Sequence, residues 1–148
     1  MKRILLIATG GTIACKQTAS GLAPQLGAKE LLSYVRDRVE NVESIELFRM
    51  DSSNVQPEEW RAIAQAVADN MHNADGIVIT HGTDTMAYTS SMLSFMLRGI
   101  KIPVVLTGAQ YPMGMEGSDA ARNLGDALTA ARELPAGVYI AFGGSVIL

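Results

Sequence analysis

The stretch Arg3-Ile4-Leu5-Leu6-Ile7-Ala8-Thr9-Gly10-Gly11-Thr12 decides how the whole chain is read. From Ile4 to Ala8 it is apolar without a break, so no wet face alternates with a dry one. A run of this kind, rich in branched side chains and closed by glycines, fits a strand covered on both faces, as parallel sheets require. Lys2 and Arg3 ahead of an apolar run also resemble the opening of a secretory leader, but the run breaks at Thr9-Gly10-Gly11, too early for a leader core. The strand reading stands.

Outward from this strand, residues 44–50, 76–80, 103–107 and 137–142 read as further strands, and longer amphipathic stretches separate them. Residues 28–38 put Leu31, Leu32 and Val35 on one face. Residues 57–72 open on Pro57-Glu58-Glu59, a favourable first helical turn, and turn Trp60, Ile63, Ala64 and Val67 inward. Residues 84–97 and 118–132, the latter with Ser118 as N-cap, complete the set. Strand and helix in alternation predict an α/β fold: a doubly wound, mostly parallel sheet with helices on both faces, three-layered and flavodoxin-like. Residues 1–148 form one domain in this reading. Val146-Ile147-Leu148 after Gly143-Gly144 looks like a strand cut short, so the expectation is a domain truncated at its carboxyl end.

The bulk chemistry excludes several roles. A net charge of -3 with no basic run leaves no footprint for nucleic acid. Cys15 is the only cysteine, which excludes an internal disulfide and a cysteine-built zinc site. No apolar stretch reaches bilayer-spanning length. The expected setting is the cytoplasm, with no membrane contact.

Open α/β sheets bind ligands beyond the carboxyl ends of their strands. Four predicted strands lead there into Thr9-Gly10-Gly11-Thr12, Asp51-Ser52-Ser53-Asn54, His81-Gly82-Thr83-Asp84-Thr85 and Gly108-Ala109-Gln110. Glycines, hydroxyls and carboxylates recur at one edge, where a core needs none of them. The first loop lacks the lysine of a phosphate-binding loop and the spaced glycines of a dinucleotide fingerprint. Its glycine pair is either a structural turn or a source of N–H donors for an oxyanion beside Thr12. Asp84 either caps the helix that follows, acts chemically, or does both. His81 with Ser52 or Ser53 suggests a serine triad, yet no Gly-x-Ser-x-Gly elbow is present, and His81 reads better as a structural residue at a strand end. His72 reads as solvated, and Met86, Met92 and Met96 as packing residues.

Thr9-Gly10-Gly11-Thr12-Ile13-Ala14 and His81-Gly82-Thr83-Asp84-Thr85-Met86 resemble the two signatures of bacterial-type L-asparaginases. Met50-Asp51-Ser52-Ser53, the run from Met86 to Leu97, and Val105-Leu106-Thr107-Gly108-Ala109-Gln110 resemble the cytoplasmic, type I branch. The resemblance covers essentially the whole chain. It implies an amino-terminal catalytic domain that hydrolyses the side-chain amide of L-asparagine through a threonine acyl-enzyme, with no cofactor and no metal. Thr12 matches the nucleophile. Thr83 and Asp84 match a second threonine and its carboxylate, which act with a lysine, and Asp84 also meets the substrate ammonium. Asp51, Ser52 and Ser53 match the loop around the substrate α-carboxylate, with Gly82 and Ala109 as further substrate contacts. Residues 15–27 match a lid loop carrying Thr18, Ser20 and Leu22. Leu22 stands where the family often has an activating tyrosine. The family's lysine and its smaller second domain lie beyond Leu148, so the resemblance predicts a chain that is inactive alone and a full-length homo-oligomer, dimer or tetramer.

Rival readings are a glutaminase acting on L-glutamine, or the ammonia-producing subunit of a tRNA-dependent amidotransferase; the latter usually carries an extra amino-terminal segment, whereas the first strand here begins at residue 3. Outside that class stand a non-catalytic flavodoxin-like module binding an amino acid or flavin, and an inert fragment.

Overall fold

A computed structural model describes residues 2–19 and 21–148, without the side chains of residues 17, 18, 24 and 52. The first strand, β1 (Ile4–Gly10), is buried along its whole length. A hairpin of β2 (Cys15–Thr18) and β3 (Gly21–Pro24) follows, then helix α1 (Ala28–Leu32) and strand β4 (Val42–Met50). Helix α2 (Pro57–Asn70), strand β5 (Gly76–Thr80), helix α3 (Met86–Met96) and strand β6 (Pro103–Thr107) come next. Helix α4 (Ala120–Glu133) and strands β7 (Gly137–Phe142) and β8 (Ser145–Ile147) close the chain.

The main sheet runs β4-β1-β5-β6-β7-β8, and every pairing is parallel except β7 with β8. The expected doubly wound, three-layer architecture is therefore present. Alternate side chains of each buried strand feed two cores. Ile4, Leu6 and Ala8 join Leu31 of α1 and Leu124, Ala127 and Leu128 of α4 on one face. Leu5 and Ile7 join Ile63 and Val67 of α2 and Leu93 of α3 on the other. Each fully buried leucine or isoleucine contributes about 1.5–3 kcal/mol by leaving water. The order reverses at β1, which lies between β4, formed after it, and β5, formed later still. That places a topological switch point between β1 and β5.

Four local expectations need correction. The helix expected over residues 28–38 stops at Leu32; Ser33 Oγ donates to Glu30 O at 2.5 Å, a local bond that competes with continued helix, and a short 3-10 turn covers Arg36–Arg38. The lid expected as a loop over residues 15–27 contains the β2–β3 hairpin, paired from Cys15↔Pro24 to Thr18↔Gly21. Met92 and Met96, expected to pack, are 37% and 40% exposed, and only Met86 is buried. Val146 and Ile147 do form the further strand that the sequence suggested. Ser118 lies two residues before α4 rather than at its N-cap, but its Oγ accepts the Ala120 N–H at 3.0 Å.

Candidate active site

The loops that leave β1, β4 and β5 meet at the switch point. Thr9 Oγ1 donates to Thr80 O at 2.7 Å, pinning the ends of β1 and β5 together. The Gly11 N–H donates to Met50 O at 2.9 Å, which brings the end of β4 to the same place. Gly11 has φ +82°, and a Cβ there would lie 2.6 Å from Gly82 Cα and 2.8 Å from the His81 carbonyl carbon. Only glycine lets the first and third loops approach so closely. The same bond corrects one expectation: the Gly11 N–H is occupied by Met50 and is not offered to an oxyanion.

Around this contact lies a cavity of about 120 Å³. Gly11, Thr12 and Cys15 line it from the first loop, Leu22 from the hairpin, Asp51 from the end of β4, and Gly82, Thr83 and Asp84 from the end of β5. Thr12 and Thr83 are half-buried, and Asp84 is exposed. Larger hollows exist, including one of about 580 Å³ lined by Lys29, Arg36 and Glu43. That hollow sits at the amino-terminal end of β4, away from the carboxyl strand ends where the loops converge.

Of the residues expected at the site, Thr12, Asp51, Gly82, Thr83, Asp84 and Leu22 share this one cavity. Ser53 and Ala109 do not line it. The Ser53 N–H donates to Asp51 Oδ1 at 2.9 Å, closing a turn over Ser52–Asn54, while Ala109 is buried in the core with Ile13 and Met113. Ser20 and the side chains of Thr18 and Ser52 lie outside the described residues. Helix α3 begins at Met86 with Thr85 at its N-cap, so Asp84 stands one residue short of the capping position. Cys15 is the lining residue that sequence reasoning passed over; its place three residues after Thr12 was the available signal. Burial first, and then the Asp51 charge, push its thiol pKa up, so it is held as the neutral thiol.

The lining has a clear polarity. Two carboxylates, Asp51 and Asp84, line it, and among the described residues no cation does. Such a cavity attracts an ammonium, and any carboxylate on the same ligand depends on N–H and hydroxyl donors.

His81 sits behind this wall, 1% exposed. Its Nδ1–H donates to Gly82 O at 2.7 Å, and its Nε2 accepts the Thr89 hydroxyl at 3.0 Å. Thr89 Oγ1 in turn accepts the Trp60 indole N–H at 2.9 Å. This one-way chain fixes the neutral tautomer and engages both ring nitrogens with Gly82 and Thr89, which supports the structural reading of His81. Burial depresses its pKa, against the smaller opposing effect of the bond to Gly82. The unfolded chain therefore takes up a proton that the native state refuses. The stability linked to His81 is complete above about pH 6.5 and declines as the pH falls from there toward its folded value. We expect Tm measured between pH 7.5 and 5 to fall less steeply in His81→Asn than in the parent protein. Equal slopes would remove His81 from this role.

Residues 3–148 match the family described as Asparaginase, N-terminal. The chain belongs to the asparaginase family. It is 46% identical to the L-asparaginase of Thermococcus kodakarensis over 149 residues, covering 99% of this chain and 45% of that protein. The solved thermostable L-asparaginase from Thermococcus kodakarensis superimposes with a TM-score of 0.91 at 47% identity, again over 99% and 45% of the two chains. L-asparaginase I from Vibrio cholerae superimposes with a TM-score of 0.85 at 37% identity, over 99% and 46%. One component of the glutamyl-tRNA(Gln) amidotransferase of Methanococcus vannielii is 36% identical over 99% of this chain and 35% of that component. The chain thus spans somewhat under half the length of these asparaginases. Its mostly parallel sheet is that of the asparaginase amino-terminal domain.

Proposed function

We propose that this chain supplies the nucleophile-bearing part of an L-asparaginase, in which Thr12 attacks the side-chain amide of L-asparagine. One observation carries the reading: Thr12 from the first loop and Thr83-Asp84 from the third line the same small cavity. Thr12 Oγ bonds to the amide carbon, the C–N bond breaks, and ammonia departs with the hydroxyl proton. Water then cleaves the ester, releasing L-aspartate and returning a proton to Thr12. A threonine hydroxyl needs help with both transfers, and in this reading the Thr83-Asp84 pair gives it. Asp84, with Asp51 near it in the lining, suits the substrate ammonium. In this reading the single domain of residues 1–148 contributes one part of the site, and sequence outside it contributes the remainder; this chain covers 45% of the Thermococcus kodakarensis relative.

The whole protein is proposed to be a cytoplasmic homo-oligomer that needs no cofactor. Among the described residues no helix is long and apolar enough to cross a membrane. Tyr88, Met92, Phe95 and Met96 form an exposed apolar stripe along α3, which supports self-association.

The test is stoichiometric release of ammonia and L-aspartate from L-asparagine by the complete polypeptide that carries these residues, with L-glutamine as comparison. Absence of both products overturns the reading. Similarity to the amidotransferase component favours a second reading, an ammonia supplier within a larger complex, which predicts release only in the presence of partner and charged tRNA. Asp84→Asn is expected to raise KM by about tenfold or more, the worth of one charge-assisted bond, and to lower kcat/KM further. An unchanged KM would remove Asp84 from ammonium recognition.

A further inference from the structure

We propose that Asn123, on α4 and outside the cavity, is a positioning residue that holds the wall behind Thr83. It is 1% exposed, and every hydrogen-bonding group of its side chain is engaged. Nδ2 donates to Gly108 O at 2.9 Å and to Asp119 Oδ2 at 3.2 Å, while Oδ1 accepts the Gly143 N–H at 3.2 Å. The amide has one workable orientation, because the flipped form would set its oxygen against two acceptors and its nitrogen against a donor. Three segments at the carboxyl edge of the sheet are thereby tied together: the loop after β6, the start of α4, and the β7–β8 turn.

Asp119 completes the device. Its carboxylate accepts the Gln110 N–H at 3.0 and 3.1 Å and the Tyr111 N–H at 3.2 Å. The loop after β6 is thus gripped by its carbonyl at Gly108 and by its N–H groups at Gln110 and Tyr111. Gly108 in turn abuts the third loop. A Cβ on Gly108 would run into the His81 carbonyl oxygen and stand 3.6 Å from Thr83 Cγ2. The His81 N–H also donates to Thr107 O at 2.8 Å, so a shift of this loop is passed to the backbone of the third loop two residues before Thr83. Displacements on the scale of 1 Å, made far from the reacting atoms, lower turnover by about 100-fold in other enzymes.

The inference rests on Thr83 acting in the proposed hydrolysis, and the test separates the two. In the complete polypeptide, Asn123→Ala lowers kcat for L-asparagine by about 10- to 100-fold and leaves KM within about threefold. Asn123→Asp keeps the shape but loses both donors and faces Asp119 with a second carboxylate, so it does not rescue kcat. Leu128→Ala removes a buried side chain from the same helix; it lowers Tm at least as far and leaves kcat within about twofold. Amide exchange at Gln110, Tyr111 and Thr83 quickens together in Asn123→Ala and not in Leu128→Ala. An Asn123→Ala enzyme with unchanged kcat, rescue by Asp, or an equal loss of kcat in Leu128→Ala overturns the proposal. If the parent protein hydrolyses no asparagine, the functional reading fails instead, and the exchange pattern alone decides whether Asn123 positions Thr83.

Discussion

Thr12→Ala is expected to abolish the proposed asparagine hydrolysis in the complete polypeptide while the protein stays folded and still binds L-aspartate. Thr12 is half-buried at the cavity and closes no core gap, so its loss costs stability only within the range of an ordinary surface substitution, about 0.5 kcal/mol. The chemical cost is of another order. With no hydroxyl to form the acyl-enzyme, the remaining site can only bind and polarise the amide. Removal of a nucleophile in comparable hydrolases lowers kcat by roughly 10⁴-fold or more. Ammonia release and calorimetric titration with L-aspartate measure the two halves of this expectation. Near-normal turnover in Thr12→Ala would contradict it outright. Loss of binding along with turnover would assign Thr12 to recognition.

Gly11→Ala has an expected effect nearly as large, and it acts through the backbone. At φ +82° an alanine is strained by about 1–3 kcal/mol, and its methyl group would press on Gly82 Cα and the His81 carbonyl carbon. The first and third loops must then separate. Since Thr12 follows Gly11 and Thr83 follows Gly82, the two hydroxyls move apart with them. We expect Tm to fall on the order of 5 °C or more and kcat/KM to fall at least about 100-fold. Gly21→Ala provides the contrast. Gly21 also has positive φ, but a Cβ there meets nothing within 4 Å, so the substitution is expected to strain the hairpin without driving the first and third loops apart. Equal activity in Gly11→Ala and the parent would show that close approach of the loops is not needed.

The parts that were legible in the sequence are those whose burial leaves a compositional trace. Ile4 to Ala8, Gly76 to Thr80 and Pro103 to Thr107 read as doubly covered strands because both faces are apolar, and all three are buried throughout. The strand-end loops could be collected on one edge because parallel sheets put them there, and this brought Thr12, Asp51, Gly82, Thr83 and Asp84 together before any geometry. The β2–β3 hairpin left no such trace. Cys15-Lys16-Gln17-Thr18 and Gly21-Leu22-Ala23-Pro24 alternate weakly and end in a proline, which argues against a strand interior. Helix α1 was overextended because Leu31, Leu32 and Val35 keep a helical period, while the bond from Ser33 that ends it is a matter of side-chain geometry.

Asn123 marks the limit of such reading. A polar residue within an amphipathic helix pattern carries no sign that its side chain is buried, or that its partners Gly108 and Gly143 lie 15 and 20 positions away. Cys15 was counted for disulfides and not for its place three residues beyond Thr12. In both cases the missing information is tertiary: which turn of chain folds back over which strand end.

The central claim is that the Thr12 hydroxyl is the nucleophile in a cavity shared with Thr83 and Asp84. Its most direct test is covalent labelling of the complete polypeptide with an asparagine analogue bearing a diazoketone in place of the side-chain amide, followed by peptide mass mapping. The account predicts a single label on Thr12, suppressed by L-aspartate and absent in Thr12→Ala. A label carried by Thr83 or by Cys15 instead, with Thr12 unmodified, would contradict it.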